Sequence, residues 1–363
     1  MNHETNITIL GGGHGAHAMA ADLISRGFSI SLFEMEQFSE QLRIIFETKI
    51  IESKGEVNGK FKLKNVTSNI DEAVAHADIL IIVTPAFAHK HYAELLKDRV
   101  KAHQVLLIYP GAFSALMFKS VFGNSPMPLI GEVNNLPYDA RLIEQGKVNI
   151  LGRNPVNIGV FPASRSAELL ARVESIHAFE KVYTDVLEAG LSIVNPAFHS
   201  GLCLLSVTAI ENSAKRPFFL YEHGVTPASV KLNLQLDLER KRVGQALGYD
   251  LRPIEDFSGM KPGYTWRELY MNIHGNISLT PIAGPHSIES RYFTEDAPYG
   301  LVPWSSLGRA YGVETPIIDS IITIYNVIHE KDWRQEGRSL SDMSIEGMDL
   351  ETLKRFLNTG ATL

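Results

Sequence analysis

The chain contains one cysteine, Cys203, which excludes an intramolecular disulfide. It lies in the apolar run Gly201-Leu202-Cys203-Leu204-Leu205 and reads as a small buried hydrophobe rather than a nucleophile. No apolar run approaches the ~20 residues needed to span a bilayer. The opening residues, Met1-Asn2-His3-Glu4-Thr5-Asn6, lack the basic and apolar regions of a signal peptide. The expectation is a cytoplasmic protein in a reducing compartment. Positive charge is not in excess either: 34 Lys and Arg face 41 Asp and Glu, a net charge of −7. Neither nucleic acid nor an anionic membrane is attracted by such a surface, so any anionic ligand must be held by local donors. Internal repeats and low-complexity linkers are missing. The 13 histidines are scattered. His89-Lys90-His91 has no further partner at metal-ligand spacing and reads as a solvated helix end, so no metal site is expected.

What is present suits a globular enzyme: 363 residues, 45% hydrophobic and 21% charged, enough for two domains with full cores. The first thirty-five residues are the most informative. Ile7-Thr8-Ile9-Leu10 reads as a buried strand running into Gly11-Gly12-Gly13-His14-Gly15-Ala16, with an Ala-rich helix to Arg26 and a second strand over 28–33 that closes on Glu34. Strand, glycine turn, helix, strand and acid, in that order, form the dinucleotide-binding fingerprint. Gly11 permits the tight turn, Gly13 lets backbone approach a pyrophosphate, and Ala16 lets helix and sheet pack closely. The N–H groups that open the helix, around His14 and Gly15, meet the phosphate charge. Glu34 can accept from ribose hydroxyls and repels a 2′-phosphate, which favours NAD(H), with NADP(H) as second choice. In the competing reading Glu34 caps a loop and Arg43 folds back to the phosphate.

The first half continues to alternate. A helix over 71–77 leads into the strand 78–85, ending at Thr84-Pro85; strands 105–109 and 128–132 end at Pro110-Gly111 and Val133-Asn134-Asn135. Runs this apolar belong to a parallel sheet covered on both faces. Ligands gather beyond the carboxyl ends of such strands, so Thr84-Pro85, 110–112 and 132–135 are expected to rim one crevice. Residues 148–151 and 157–161 suggest later strands of antiparallel sense. Beyond residue 190 the punctuation becomes helical: Thr226-Pro227 and Thr315-Pro316 each place a capping hydroxyl before proline. Ile317, Ile318, Ile321, Ile322, Ile324, Val327 and Ile328 form a helical face, read as core although a subunit interface, and so a homodimer, is allowed. Val230 to Leu238 alternate with period two, but the Thr-Pro start and the stop at Gly248 favour helix. Asp237, Glu239, Arg240, Lys241 and Arg242 read as its charged outer face, and Trp266 and Tyr270 as core.

Two segments there carry chemistry. Asn195-Pro196-Ala197-Phe198-His199 sets an imidazole at a rigid helix start, where it can trade protons near neutral pH. The plainer reading is a helix-start histidine bonded to backbone. Ser290-Arg291-Tyr292-Phe293-Thr294-Glu295-Asp296-Ala297-Pro298-Tyr299-Gly300 brings together an Arg able to clamp a carboxylate and an Asp able to fix a histidine tautomer. Its plainer reading is a solvated loop with a local ion pair. Tyr221-Glu222-His223-Gly224 reads as helix-end packing, with a place lining a substrate pocket as the alternative.

Together these motifs resemble the opine dehydrogenases, the octopine/nopaline dehydrogenase family. The matching pieces are the Gly11–Ala16 turn, Ala77-Asp78 with Thr84-Pro85 and His89, Asn195-Pro196-x-x-His199, Gly224-Val225-Thr226-Pro227 and Arg291-Tyr292-x-x-Glu295-Asp296-x-Pro298. The tail adds Glu314-Thr315-Pro316-Ile317 and Gly337-Arg338-Ser339-Leu340. His14 departs from relatives that carry Asn there. The resemblance implies an α/β Rossmann domain with a doubly wound, mostly parallel sheet over 1–188, then an all-α substrate domain over 189–363. It further implies an NAD(P)H-dependent reductive condensation of an amino acid with a 2-oxo acid, acting on CH–NH. His199 would be the catalytic residue, paired with Asp296; Arg291 and Asn195 would bind substrate. Gly11, Gly13, His14, Gly15, Ala16, Glu34, Thr84 and Pro85 would hold the cofactor. Two alternatives stay open: a 2-oxo acid or carbonyl reductase that uses no amine, and a non-catalytic NAD-binding sensor.

Overall fold

A computed structural model of the protein describes residues 5–254, 265–274, 280 and 283–361. The chain divides into two compact units, Met1–Gly190 with Glu351–Leu363, and Leu191–Leu350. No helix among the described residues is long and apolar enough to cross a membrane.

Eleven strands lie in the first unit: β1 (Asn6–Leu10), β2 (Ser29–Phe33), β3 (Ile50–Gly55), β4 (Gly59–Lys62), β5 (Asn65–Thr67), β6 (Ile79–Ile82), β7 (Val105–Ile108), β8 (Leu129–Val133), β9 (Tyr138–Glu144), β10 (Lys147–Arg153) and β11 (Ile158–Phe161). Seven make one sheet in the order β11-β8-β7-β6-β1-β2-β5, parallel except where β11 pairs with β8. β6 and β7 are wholly buried, as their unbroken apolar sequences require. A second sheet, β4-β3-β10-β9, was not foreseen beyond β10, which runs parallel to β3 and antiparallel to β9. Its strands mix charged and apolar residues because one face meets water. Helix Leu350–Thr359 groups with this unit, so the second domain expected to run to 363 ends at Leu350. The cause is packing: the Phe356 ring lies 5.5 Å from that of Phe161, and Lys354 stands 3.9 Å from Asp185.

Beneath the first helix (His14–Ser25) lies a polar chain. Tyr109 donates its hydroxyl proton to His177 Nδ1 (3.1 Å), His177 Nε2 donates to the Tyr138 oxygen (3.2 Å), and Tyr138 donates to the Asp22 carboxylate (2.7 Å). Arg153 and Arg26 complete the Asp22 shell. Every atom is satisfied only if the imidazole is neutral, and burial lowers the His177 pKa from 6.5 to about 4. Burial lowers that of His17 to about 4 as well. Unfolding restores the ordinary value, so the unfolded chain takes up protons that the folded one refuses. Stability is therefore expected to be full above pH 6.5 and to fall as the pH drops toward about 4. Urea midpoints across that window test this, and His177→Gln should flatten the slope.

Among its described residues the second unit contains helices and no strand. Helix Pro227–Ala246 forms despite its period-two leucines. Thr226 and Ser229 cap it reciprocally (3.3 and 2.8 Å), and Pro227 opens its first turn. The expected charged outer face is largely inside: Asp237, Glu239 and Arg240 are buried, while Lys241 is half-buried and Arg242 exposed. Arg240 donates to Asp237 (2.7 Å) and to the carbonyls of Leu191 (2.7 Å) and Arg252 (2.6 Å), while Asp237 also accepts from Ile254 N–H (3.1 Å). Helix Pro316–His329 starts where expected and buries Ile318, Ile321, Ile322 and Tyr325, leaving Ile324 and Val327 exposed. Its cap is not Thr315: the Glu239 carboxylate accepts from the N–H groups of Ile317 (2.9 Å) and Ile318 (3.0 Å). Burial raises the Glu239 pKa. Trp266 and Tyr270 are only half buried; Leu269 and Ile273 carry the core face of their helix, and Lys231 sits 4.3 Å over the Trp266 ring.

Candidate active site

Two groups of the expected residues assemble, one in each unit. In the first unit, Gly11 follows β1 with φ +115°, and a Cβ there would lie 2.7 Å from Thr84 and from the Val83 carbonyl. Gly13 is different: it is exposed, and a Cβ on it would meet nothing within 4 Å. Gly13 and His14 are thus open to solvent at the start of the helix, while Gly15 and Ala16 are buried beneath it. This open glycine turn, set at the N-terminus of the helix, fits a dinucleotide pyrophosphate. Glu34 ends β2 and accepts from Gly12 N–H (2.7 Å) and Met35 N–H (2.8 Å); burial raises its pKa. Arg43 does not fold back toward it, pairing instead with Glu40 (3.3 Å) and Glu47 (3.9 Å).

The turns after β6, β7 and β8 are tied together. His89, expected in water, is fully buried: one ring nitrogen lies 2.5 Å from the Ser114 hydroxyl and the other 3.1 Å from the Thr84 carbonyl. The buried Glu132 carboxylate accepts from the N–H groups of Phe113 (3.0 Å) and Ala115. Thr84 and Pro85 are thereby anchored at the rim, and the Thr84 hydroxyl itself has no hydrogen-bond partner among the described residues. His89 stands beside Thr84-Pro85 in the motif that carries the resemblance, but its burial was not foreseen, because a His-Lys-His run looks hydrophilic and its partner lies 25 residues away.

In the second unit, Pro196 at the start of helix Asn195–Leu205 packs against Gly300, where a Cβ would fall 2.2 Å from the Pro196 ring. That close approach brings the segment before Gly300 alongside the helix. His199 Nδ1 lies 2.8 Å from Asp296 Oδ2, and its Nε2 lies 2.7 Å from the Tyr221 hydroxyl. The imidazole is bonded to two side chains rather than to backbone. Tyr292 stands edge-on to the ring, centroids 4.4 Å apart. Asn195 opens the same helix one turn before His199, on the same face. Arg291 begins the short helix Arg291–Thr294 with its side chain exposed. Among the described residues no carboxylate pairs with it, so the plainer ion-pair reading of this loop does not hold. The tail motif supports this floor: Arg338 N–H donates to the Pro298 carbonyl (2.9 Å), and the Arg338 guanidinium lies 5.1 Å over the Tyr299 ring. Gly224, Thr226 and Pro227 end the helix Leu220–His223 that carries Tyr221, Ser229 donating back to the Gly224 carbonyl (2.7 Å). Cys203 is buried four residues after His199 on the same helix, its thiol pKa pushed up by burial.

Comparison with known proteins bears on both groups. Residues 182–329 match the family described as NAD/NADP octopine/nopaline dehydrogenase, alpha-helical domain. Over 353 residues the chain is 29% identical to the opine dehydrogenase of Arthrobacter sp. (strain 1C), covering 96% of this chain and 97% of that one. The helical unit thus carries the signature of the octopine/nopaline dehydrogenases, and the whole chain is similar to an opine dehydrogenase along almost its full length. Two solved structures share the fold of this chain over 99% of both chains. They are octopine dehydrogenase in complex with NADH and agmatine (TM-score 0.76, 18% identity) and NADP+-bound yersinopine dehydrogenase (TM-score 0.70, 15% identity).

Proposed function

We propose that this chain is an NAD(P)H-dependent opine dehydrogenase, an oxidoreductase acting on a CH–NH bond. It joins the amino group of an amino acid to the carbonyl carbon of a 2-oxo acid such as pyruvate, and the resulting imine is reduced. The reaction is reversible. The observation that carries this reading is the His199–Asp296 hydrogen bond, 2.8 Å, within the helical domain that matches the family.

Each residue then has a task. Arg291, a guanidinium with no carboxylate partner among the described residues, clamps the carboxylate of the oxo acid, and Asn195 on the His199 face contacts substrate. His199 moves the proton, and Asp296 fixes its Nδ1–H tautomer and stabilises the cation. In the first unit Gly11, Gly13, His14, Gly15 and Ala16 cradle the pyrophosphate, Glu34 takes the ribose, and Thr84-Pro85 border the nicotinamide end. A dinucleotide held there would supply hydride for the reduction. NAD(H) is preferred, since Glu34 ends β2 and Arg43 is committed to Glu40 and Glu47; NADP(H) is the second cofactor. The lone buried thiol of Cys203 suits a cytoplasmic setting.

The test is NADH oxidation with pyruvate, with and without a panel of L-amino acids. Oxidation that requires an amino acid is the expected result. Turnover on an oxo acid alone would make the chain a simple reductase, and NADH binding without turnover on any pair would make it a sensor.

A further inference from the structure

Both nitrogens of His199 are occupied: Nδ1 by Asp296 at 2.8 Å and Nε2 by Tyr221 at 2.7 Å. A carboxylate only accepts, so Nδ1 carries the hydrogen and neutral Nε2 offers a lone pair. Tyr221 must then be the donor to Nε2. Burial, with the Tyr292 phenol, the Cys203 thiol and the Asp296 carboxylate nearby, pushes the Tyr221 pKa well above the ordinary phenol value. The hydroxyl therefore keeps its proton at neutral pH. The Arg291 charge acts on it in the opposite sense. A proton leaving His199 along an existing hydrogen bond has one direction open, since the other bond ends on Asp296.

We propose that Tyr221 relays the proton between His199 Nε2 and the substrate. The inference rests on the condensation reaction above and names the residue that completes it. When the amine has added to the oxo carbon, the carbinolamine hydroxyl must depart as water. The Tyr221 O–H proton passes to that oxygen, and the C–O bond breaks with its electron pair going to the water. The nitrogen lone pair forms the C=N bond. At the same time the imidazolium Nε2–H passes to the Tyr221 oxygen, leaving phenol restored and His199 neutral with Nδ1–H still on Asp296. His199 regains its proton from the ammonium group of the next amino acid, which must lose one to become a nucleophile. Protons and electrons balance with no further reactant. The segment Tyr221-Glu222-His223-Gly224 thus has a use that helix-end packing alone does not describe.

Tyr221→Phe keeps the ring and removes the relay. Its kcat is expected to fall about 10²-fold, the lower end for loss of a general acid, with the KM for the oxo acid and the Kd for NADH unchanged within about twofold. Loss of water would then limit the rate, so deuterium at the transferred position of NADH should slow the variant less than wild type. A merely structural tyrosine would not produce that change. Turnover by Tyr221→Phe within about threefold of wild type, while His199→Ala is inactive, would overturn the relay and leave the reaction standing. A wild-type protein that consumes no NADH with any substrate pair would instead overturn the reaction itself. Nitrogen NMR of the wild-type His199 ring supplies a readout that needs neither variant nor turnover. An Nδ1–H tautomer with Nε2 as hydrogen-bond acceptor is expected, and an Nε2–H tautomer in the neutral ring would overturn the relay.

Discussion

Replacing His199 by alanine is expected to lower kcat by about 10²–10⁴-fold, the range for loss of a positioned general acid–base group. NADH binding should be nearly untouched, because the glycine turn, Glu34 and Thr84 belong to the first unit and His199 to the second. Steady-state turnover with amino acid and oxo acid, beside NADH titration by fluorescence, separates the two. Asp296→Asn probes the same pair differently. An amide can donate to Nδ1, which allows the wrong tautomer and removes the charge that steadies the imidazolium. Its kcat should fall with the substrate KM little changed. Wild-type turnover by His199→Ala would remove His199 from the chemistry, and with it the observation on which the proposed activity rests.

The second large effect concerns stability. Arg240 is completely buried and meets Asp237, the Leu191 carbonyl and the Arg252 carbonyl, its guanidinium 5.8 Å from the Trp304 ring. Removing one partner strands the other charge away from water. Arg240→Ala is accordingly expected to cost about 3–5 kcal/mol, by the measured loss on breaking a buried pair. Asp237→Ala should cost a similar amount, since it also frees Ile254 N–H. A paired replacement, Arg240→Met with Asp237→Leu, should recover much of the loss, since apolar residues of matching volume often replace buried ion pairs without penalty. Urea unfolding of the three variants tests this. Single variants within about 1 kcal/mol of wild type would mean that water reaches the pair, whose worth would then be that of a surface bridge.

The glycine turn and the central parallel strands were legible because each depends on local signals: apolar runs of strand length and a turn only glycine can make. The His199–Asp296 pairing spans 97 residues and was legible only through the family resemblance. The four-stranded sheet was not, since β3, β4 and β9 carry lysines, glutamates, an aspartate and an arginine on a solvated face and show no apolar run. Helix Pro227–Ala246 misled in two ways. Its leucines alternate, while the face it buries includes Asn233, Asp237, Glu239 and Arg240. A pattern that equates polar with outside must fail where polar groups are paired within the core. His89 and Tyr221 were undervalued for a related reason. What each does is set by partners distant in sequence, Ser114 for one and His199 for the other, and no spacing rule announces them. Domain assignment by order along the chain likewise missed the return of helix Leu350–Thr359 to the first unit.

The cap supplied by Glu239 has a consequence for how the chain is made. Its two donors, Ile317 and Ile318, lie 78 and 79 residues downstream. During synthesis the carboxylate leaves the ribosome long before the groups that will neutralise its burial, and until they arrive it gains more from water than from the interior. Helix Pro227–Ala246 can form early, but its Glu239 side cannot settle until the Pro316 helix begins. The helical domain is therefore bound to complete itself late and as one body, instead of growing inward from its first segment.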